Sequence, residues 1–214
     1  MKFVYCMEDV LDLYHLPYDP ARPLVCFDES NKQLRGEVRE SYPMQPGQPL
    51  RYDYEYERNA SHNLFLFFEP LRSWRHVEVT LHRKKEDWVH CMRYLVDEVY
   101  PEAEQIRVVM DNLNTHRLSV LYDVFPPAEA RRLCQKLEVH YTPEHASWLN
   151  MAEIEFSVLA KQCLDRRIPD EATLKREVAA WEAERNAREA TVNWQFTTGD
   201  ARIKLRKLYP SIEV

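Results

Sequence analysis

The chain has 214 residues, 45% of them hydrophobic and 12% aromatic, which is enough for a sizeable core in one large domain or two small ones. It contains no apolar run of about 18 residues and no secretory signal, so we expect neither a membrane span nor export and place the protein in the cytoplasm. Five widely spaced cysteines without a Cys-x-x-Cys pair argue against a disulfide or zinc framework, and a formal net charge of −6 argues against nucleic-acid binding by the whole surface.

The first half of the chain has the periodicity of one helix followed by several strands. Apolar spacing predicts a leading helix within residues 1–20, closed by two prolines. The segments after it are predicted, in order, as a buried strand over 23–28, a loop over 31–50, a half-exposed strand over 51–58, a turn over 59–62, a buried strand over 63–68 and a strand over 76–81.

The second half alternates helices with two more strands. The pattern predicts, in order, a helix over 84–100, a buried strand over 106–110, helices over 115–125 and 128–137 with Pro127 at the first helical position, a strand over 137–141, helices over 150–164 and 170–190, and a basic segment over 199–208. Short links favour antiparallel pairing of the first three sheet strands, and helical connections favour parallel addition of the last two. We therefore predict an α/β fold with a mixed five-stranded sheet flanked by helices.

Three acidic residues stand at chemically informative positions. Asp28 ends the apolar run over 23–27, Asp111 ends the run over 106–110, and Glu153 lies one turn into the helix that follows Asn150. A carboxylate at the end of a buried strand is costly unless a cation compensates its loss of hydration. The three together predict a site for hard divalent cations and hence phosphodiester chemistry.

The residues around these acids resemble the DDE transposases, and most nearly the bacterial insertion-sequence branch of the mariner superfamily. The segments that carry the likeness are Val25-Cys-Phe-Asp-Glu-Ser30, Val108-Val-Met-Asp-Asn-Leu-Asn-Thr-His116 and Tyr141-Thr-Pro-Glu-His-Ala-Ser-Trp-Leu-Asn-Met-Ala-Glu153. The family's third motif is usually Asn-Pro-x-Glu, so a proline is replaced here by Met151. The likeness runs from about Val4 to Pro210.

The resemblance implies a ribonuclease H-like fold and a metal-dependent enzyme that cuts DNA and joins it to a new site, with TA as the target. It implies two Mg²⁺ ions, with Mn²⁺ as a substitute, held by Asp28, Asp111 and Glu153. It further implies that Asn112 and His116 lie beside the metals. The expected partners are transposon ends, target DNA and a second copy of the chain, in the bacterial cytosol near the nucleoid.

Each acid also has an ordinary explanation. Asp28 and Asp111 occur in sequences that favour turns. Glu153 has the spacing of a capping box with Asn150, and Leu149 with Ile154 has the spacing of the accompanying hydrophobic staple. Glu155 is a rival third ligand, although a rotation of about 100° per residue turns it away from Glu153.

His140, Tyr141 and Trp148 are further candidates for the surroundings of the metal site, but a role as a strand residue, for His140, or as core aromatics explains them nearly as well. The basic residues are candidates for contact with the DNA backbone. For each basic residue, the alternative is that it lies on a solvent-exposed face and does not bind DNA. The candidates for the DNA backbone are Arg72, Arg75, Arg83, Lys84, Lys85, Arg166, Arg167, Arg202, Lys204, Arg206 and Lys207.

We expect a single catalytic domain over 1–214, with a leading helix over 1–20, a loop insertion over 31–50 and a C-terminal helical extension over 170–214. Members of the DDE transposase family that the sequence resembles carry an N-terminal helix-turn-helix region, and residues 1–20 are too short for one. The sequence therefore predicts weak DNA binding without end specificity. Two other functions stay open: a non-catalytic module derived from a transposase, and another ribonuclease H-like nuclease acting on RNA or hybrids.

Overall fold

A sheet of five strands organises the part of the chain that the computed structural model describes, namely residues 1–39, 44–49, 51, 54–113 and 116–210. The strands are β1 (Leu24–Glu37), β2 (Tyr56–Glu69), β3 (Trp74–Thr80), β4 (Ile106–Met110) and β5 (Leu137–Tyr141). Their order in the sheet is β3-β2-β1-β4-β5. β1 pairs antiparallel with β2 and β2 with β3, whereas β4 is parallel to both β1 and β5. The predicted mixed sheet is confirmed.

Helices cover both faces of this sheet. They are α1 (Lys2–Tyr14), α2 (Lys85–Tyr94), α3 (Leu121–Val124), α4 (Pro127–Lys136), α5 (Met151–Leu159), α6 (Glu171–Ala187) and α7 (Thr198–Lys204). α2 and α5 each continue into a π-helical turn, at Leu95–Val99 and Ala160–Leu164. None of the helices in the described ranges is long and apolar enough to cross a membrane.

The alternation of side chains along β1 and β2 divides the core into two layers. Cys26 and Leu66 belong to the layer that packs against α1, α5 and α6. Phe27 and Phe65 belong to the opposite layer, which packs against α2 and α4. By the same alternation, Asp28 projects with Cys26 toward the side of α5, and the next residue projects toward the side of α2.

The hairpin formed by β1 and β2 is much longer than predicted. The predicted loop is wrong over 31–37, which is the second half of β1, and the predicted turn over 59–62 is an uninterrupted part of β2. The half-exposed strand begins only at Tyr56, and residues 40–43, 50 and 52–53 of the predicted loop and strand lie outside the described ranges. This half of the hairpin carries polar residues on both faces, so it lacks the apolar alternation that marks a strand.

Two helix predictions also change. The predicted helix over 115–125 is reduced to a 3₁₀ turn at Leu118–Val120 followed by the short α3, with residue 115 outside the described part. Phe125 is extended, as expected of a residue before a proline. Pro127 does occupy the first turn of α4, as predicted. The predicted helix over 170–190 ends at Ala187, and a non-helical segment then leads to α7.

Candidate functional site

Asp28 lies within β1 rather than at its end, so the predicted strand-end position is wrong for this strand. It pairs with Leu66 of β2. The parallel pairing with β4 nevertheless stops two residues earlier, at Cys26. Asp111 directly follows the last residue of β4. Asp28 and Asp111 therefore lie next to each other at the point where β4, the shorter of the two parallel strands, ends.

Asp28 is a buried carboxyl in a negative environment. It is only 8% exposed. Burial is the main cause that raises its pKa to about 7; the charges of Glu153, Asp111 and Glu29 raise it further, and a hydrogen bond from the Glu29 N–H opposes them. The structure thus brings the carboxylates of Asp111 and Glu153 within electrostatic range of Asp28, on β1, after β4 and on α5 respectively.

Asn150 fixes the helix that carries Glu153 to the strand that carries Asp28. Its Nδ2 donates to the Phe27 carbonyl at 2.8 Å and to Asp28 Oδ2 at 3.2 Å. Its Oδ1 accepts from the Ala152 N–H at 3.2 Å and so caps the start of α5. Because Asn150 is 1% exposed, this connection is shielded from water. Asn150, the first residue of the predicted third motif, thus sets the position of Glu153, its last residue.

The capping-box explanation for Glu153 is wrong. In a capping box the Glu153 side chain would accept from the Asn150 N–H. That N–H instead donates to the Ser147 carbonyl at 2.8 Å. The Glu153 carboxylate is therefore not used for the helix cap and is left for the site.

Glu155, the rival ligand, faces the opposite side and serves the core. It is 0% exposed, and its carboxylate lies 3.2 Å from Arg75 and 2.8 Å from Arg185. Arg75 is itself 0% exposed and also donates to Asn186. The DNA-backbone role predicted for Arg75 is therefore wrong, because its guanidinium does not reach the surface.

A buried histidine, His116, connects Asp111 to a second carboxylate, that of Glu29. His116 Nδ1 lies 2.6 Å from Asp111 Oδ1, and its Nε2 lies 2.8 Å from Glu29 Oε2. Burial by itself lowers the pKa of His116, but the hydrogen bonds to Asp111 and Glu29 outweigh it and raise the pKa to about 9. At neutral pH both ring nitrogens therefore donate, and the imidazolium holds the two carboxylates in place. Trp88 stacks on the ring at 5.8 Å between centroids.

Glu29, the second carboxylate bound by His116, is not among the site residues predicted from the sequence. Its side chain is 3% exposed and lies 3.1 Å from Arg83, which the sequence assigned to DNA. The Asp28-Glu29-Ser30 segment has turn-forming residues and was predicted as the end of a strand. In a continuing strand, Glu29 faces away from Asp28 and toward α2, which is where His116 lies. Asn112, expected beside the metals, is exposed next to Asp111.

The charge and the donor atoms of this site fit a divalent cation. Hard cations such as Mg²⁺ take carboxylate oxygens as ligands, and a nearby cation would offset both the burial and the repulsion that raise the pKa of Asp28. No three His, Cys, Asp or Glu side chains within the described ranges lie close enough together to enclose a metal ion as they stand. Asp28, Asp111 and Glu153 are the residues that would hold one.

A family model for the DDE superfamily endonucleases matches residues 23–175, which include all three carboxylates. The chain belongs to this family. No protein of established function matched in the comparison with curated proteins.

Solved structures of the Mos1 mariner transposase have the same fold as this chain. The Mos1 paired-end complex with Mn aligns over 88% of the chain with a TM-score of 0.60 and 15% identity, the strand transfer complex over 88% with 0.59 and 16%, and the paired-end complex with Mg over 86% with 0.53 and 15%. The aligned part spans 57% of the first of these chains. The fold is ribonuclease H-like, as the resemblance implied.

A cleft of about 700 Å³ opens beside Asp111. One wall is the start of α1, with Lys2, Phe3 and Cys6. The other wall runs from Tyr141 at the end of β5 to Ser147. His140, a less certain candidate for the surroundings of the metal site, lies outside this wall and hydrogen-bonds Asp9 at 2.7 Å.

Most of the predicted DNA-backbone residues already have acidic partners. Lys84, Arg206 and Lys207 are exposed. Ion pairs with both partners exposed, such as Lys85 with Asp123, contribute little stability, so a phosphate can replace the carboxylate at small cost. Glu69 and Glu29, the partners of Arg72 and Arg83, are buried, so these two pairs are not of that kind. The paired residues are Arg72 with Glu69, Arg83 with Glu29, Lys85 with Asp123, Arg166 with Glu177, Arg167 with Glu37, Arg202 with Glu8 and Lys204 with Asp200.

Proposed function

We propose that this chain is the catalytic part of a DNA transposase, which cleaves DNA with divalent metal ions and transfers the freed 3′-hydroxyl to target DNA. The observation that carries the proposal is that the buried Asp28 lies within electrostatic range of Asp111 and Glu153, beside the end of β4. Family membership supports it, since the matched family is one of endonucleases.

The proposed metal is Mg²⁺, with Mn²⁺ as a substitute, and Asp28, Asp111 and Glu153 are its proposed ligands. Two such ions, when bound, would activate the attacking oxygen and stabilise the leaving oxygen. Asn150 orients Asp28 through its amide, and His116 holds Asp111 by a charged hydrogen bond. These buried contacts keep the carboxylates in place before the metal or the DNA arrives.

The proposed partners are transposon ends, a TA target and a second copy of the chain. The Mos1 structures of the same fold are paired-end and strand transfer complexes, and one contains a left transposon end. Because this chain spans little more than half of those chains, we propose that end recognition requires more than the residues of this chain.

The test is cleavage of supercoiled plasmid by the purified chain with Mg²⁺ or Mn²⁺, and joining of a labelled DNA end to that plasmid. We expect metal-dependent nicking that falls at least about 100-fold in Asp28→Asn, Asp111→Asn and Glu153→Gln, since each removes a proposed metal ligand. Glu144→Gln is the matched control, because Glu144 lines the neighbouring cleft and its side chain is 91% exposed.

Two outcomes would contradict the proposal. Nicking that persists in Asp28→Asn would remove the carboxylate site from the mechanism. Preferential cleavage of RNA–DNA hybrids over duplex DNA would favour a different nuclease. Loss of activity in Glu155→Gln with full activity in Glu153→Gln would move the third ligand, although the burial of Glu155 among arginines argues against that result.

A further inference from the structure

An indole ring is exposed at the border of the carboxylate site. Trp148 is 46% exposed, although Ala146 and Leu149 on either side of its turn are both 0% exposed. It lies in the 3₁₀ turn Ser147–Leu149, which ends at the helix cap Asn150. The alternative that Trp148 is a core aromatic is therefore wrong, and its exposure needs another reason.

The backbone of Trp148 is fixed relative to Asp28. The Leu149 carbonyl accepts from the Tyr14 hydroxyl at 2.6 Å, and Tyr14 is itself buried. Asn150, two residues after Trp148, donates to Asp28 Oδ2. Because both anchors are buried, the ring is presented at a set place beside the site.

The surroundings of the ring are aromatic and cationic. Phe196 meets Trp148 edge-on, with 5.9 Å between ring centroids. Lys204 Nζ lies 5.3 Å from the centre of the Phe196 ring, and Arg206 and Lys207 follow it as exposed residues. Aromatic faces next to cations are the combination with which proteins bind single-stranded nucleic acid, through base stacking and phosphate contacts.

This aromatic group adjoins the cleft that begins at Asp111. The cleft wall ends at Ser147, the residue before Trp148, and the volume of about 700 Å³ is typical of sites for small molecules or single nucleotides. Lys2 supplies a cation on the facing wall, and Asp111 and Glu144 are acidic residues of the lining. The cleft therefore extends from one of the three carboxylates, Asp111, to Ser147, the residue before Trp148.

We propose that Trp148 stacks on an unpaired base of the DNA strand that occupies the carboxylate site, while Lys204 contacts a neighbouring phosphate. The inference rests on the proposed function and deepens it, because it names the form of the substrate: a strand with unpaired bases next to the scissile phosphate. DNA is the occupant favoured by the cations and by the phosphodiester chemistry of the adjoining site.

Binding of a short single-stranded oligothymidylate that contains one 2-aminopurine tests the stacking directly, with Ca²⁺ in place of Mg²⁺. The wild-type chain should quench the fluorescence of the base as it stacks. Trp148→Ala should abolish the quenching and weaken binding about 5- to 150-fold, the fold-change that corresponds to one stacked base. Trp148→Phe should restore part of both.

Tyr18→Ala is the matched control, since Tyr18 is also 46% exposed but lies in the link between α1 and β1. It should bind and quench like the wild type. Equal quenching and affinity in wild type and Trp148→Ala would overturn the inference, and so would an absence of quenching by the wild type. These binding results do not depend on cleavage, so they are informative even if the chain does not cut DNA.

Cleavage gives a second readout if the wild type nicks DNA. Trp148→Ala should raise KM on paired duplex with little change in kcat, because a stacked base is held equally in the ground state and the transition state. A mismatch at the cut site removes the cost of unpairing. It should therefore restore most of the loss in Trp148→Ala, whereas a fold defect would not be rescued by a change in the DNA.

Discussion

At the scale of single residues, Asp28 is costly to the protein when no cation is present. Burial and three neighbouring carboxylates raise its pKa from 3.8 to about 7. A carboxyl whose pKa is raised by folding binds its proton more tightly in the folded state, so its ionisation destabilises the fold. This cost is absent below pH 3.8, grows between that value and pH 7, and is complete above it.

We predict that Asp28→Asn becomes progressively more favourable to stability as pH rises from 4 to 8 in the presence of a chelator. Asn cannot ionise, so the difference in unfolding free energy between variant and wild type should increase by a few kcal/mol, at about 1.4 kcal/mol per pKa unit. Denaturant unfolding at several pH values measures it. Disturbing the hydrogen bond with Asn150 costs the variant the same free energy at every pH, so it does not contribute to the change of the difference with pH. A difference that does not change with pH would contradict the pKa assigned to Asp28.

At the scale of secondary-structure elements, one buried carboxylate joins three of them. Glu155 of α5 contacts Arg75 of β3 and Arg185 of α6. Asn186 of α6 adds bonds to the backbone of Arg75 in both directions, at 2.9 Å each. This edge of the sheet is therefore closed by side chains of α6, which protects it from pairing with another chain.

We predict that Glu155→Gln lowers the unfolding free energy by about 3 to 5 kcal/mol, because it leaves two guanidiniums without their buried counter-charge. Metal-dependent nicking per folded molecule should stay close to the wild-type rate, since Glu155 faces away from Asp28. Denaturant unfolding and the nicking assay below the transition measure the two effects. A stable variant with abolished nicking would contradict this assignment and would place Glu155 in the site.

The alternation of side chains along β3 could have predicted the burial of Arg75 from the sequence. Along β3, Val77 and Val79 face inward, and Arg75 has the same parity. The predicted strand begins at His76, so Arg75 falls outside it and appears among the candidates for the DNA backbone. No such signal exists for the far half of β1 and β2, because its residues are nearly all polar and part of its contacts are hydrogen bonds to backbone carbonyls, such as Arg35 N–H to Ile168 and Lys32 to Leu164. Sequence pattern therefore finds strands only where one face is buried.

At the scale of the whole molecule, the order of the sheet follows from the sequence because link length decides strand direction. The meeting of Asp28 with Asp111 follows from it, since the parallel pairing of β1 with β4 stops just before both residues, although β1 itself continues to Glu37. The supporting contacts do not follow. Glu29 reaches His116 across 87 residues of sequence, and Tyr14 reaches Leu149 across 135. Such pairs depend on side-chain geometry that a single sequence does not encode in its periodicity.

A bound divalent cation would connect β1, the end of β4 and the start of α5, and this coupling gives the last prediction. A ligand that binds only the folded state stabilises it by about 1.4 kcal/mol at ten times its dissociation constant. We predict that millimolar Mg²⁺ or Mn²⁺ raises the unfolding midpoint of the wild type at pH 8. Asp28→Asn, Asp111→Asn and Glu153→Gln should each lose the shift, while Glu144→Gln keeps it.

Thermal or denaturant unfolding with NaCl matched in ionic strength provides the control, because salt alone screens the repulsion between the three acids. An equal rise with NaCl would show that screening, not a specific site, is responsible. No rise with either divalent ion would favour the non-catalytic module over the transposase. The cation should also act most strongly above pH 7, where Asp28 is ionised, and weaken as the pH falls and the carboxyl takes up its proton.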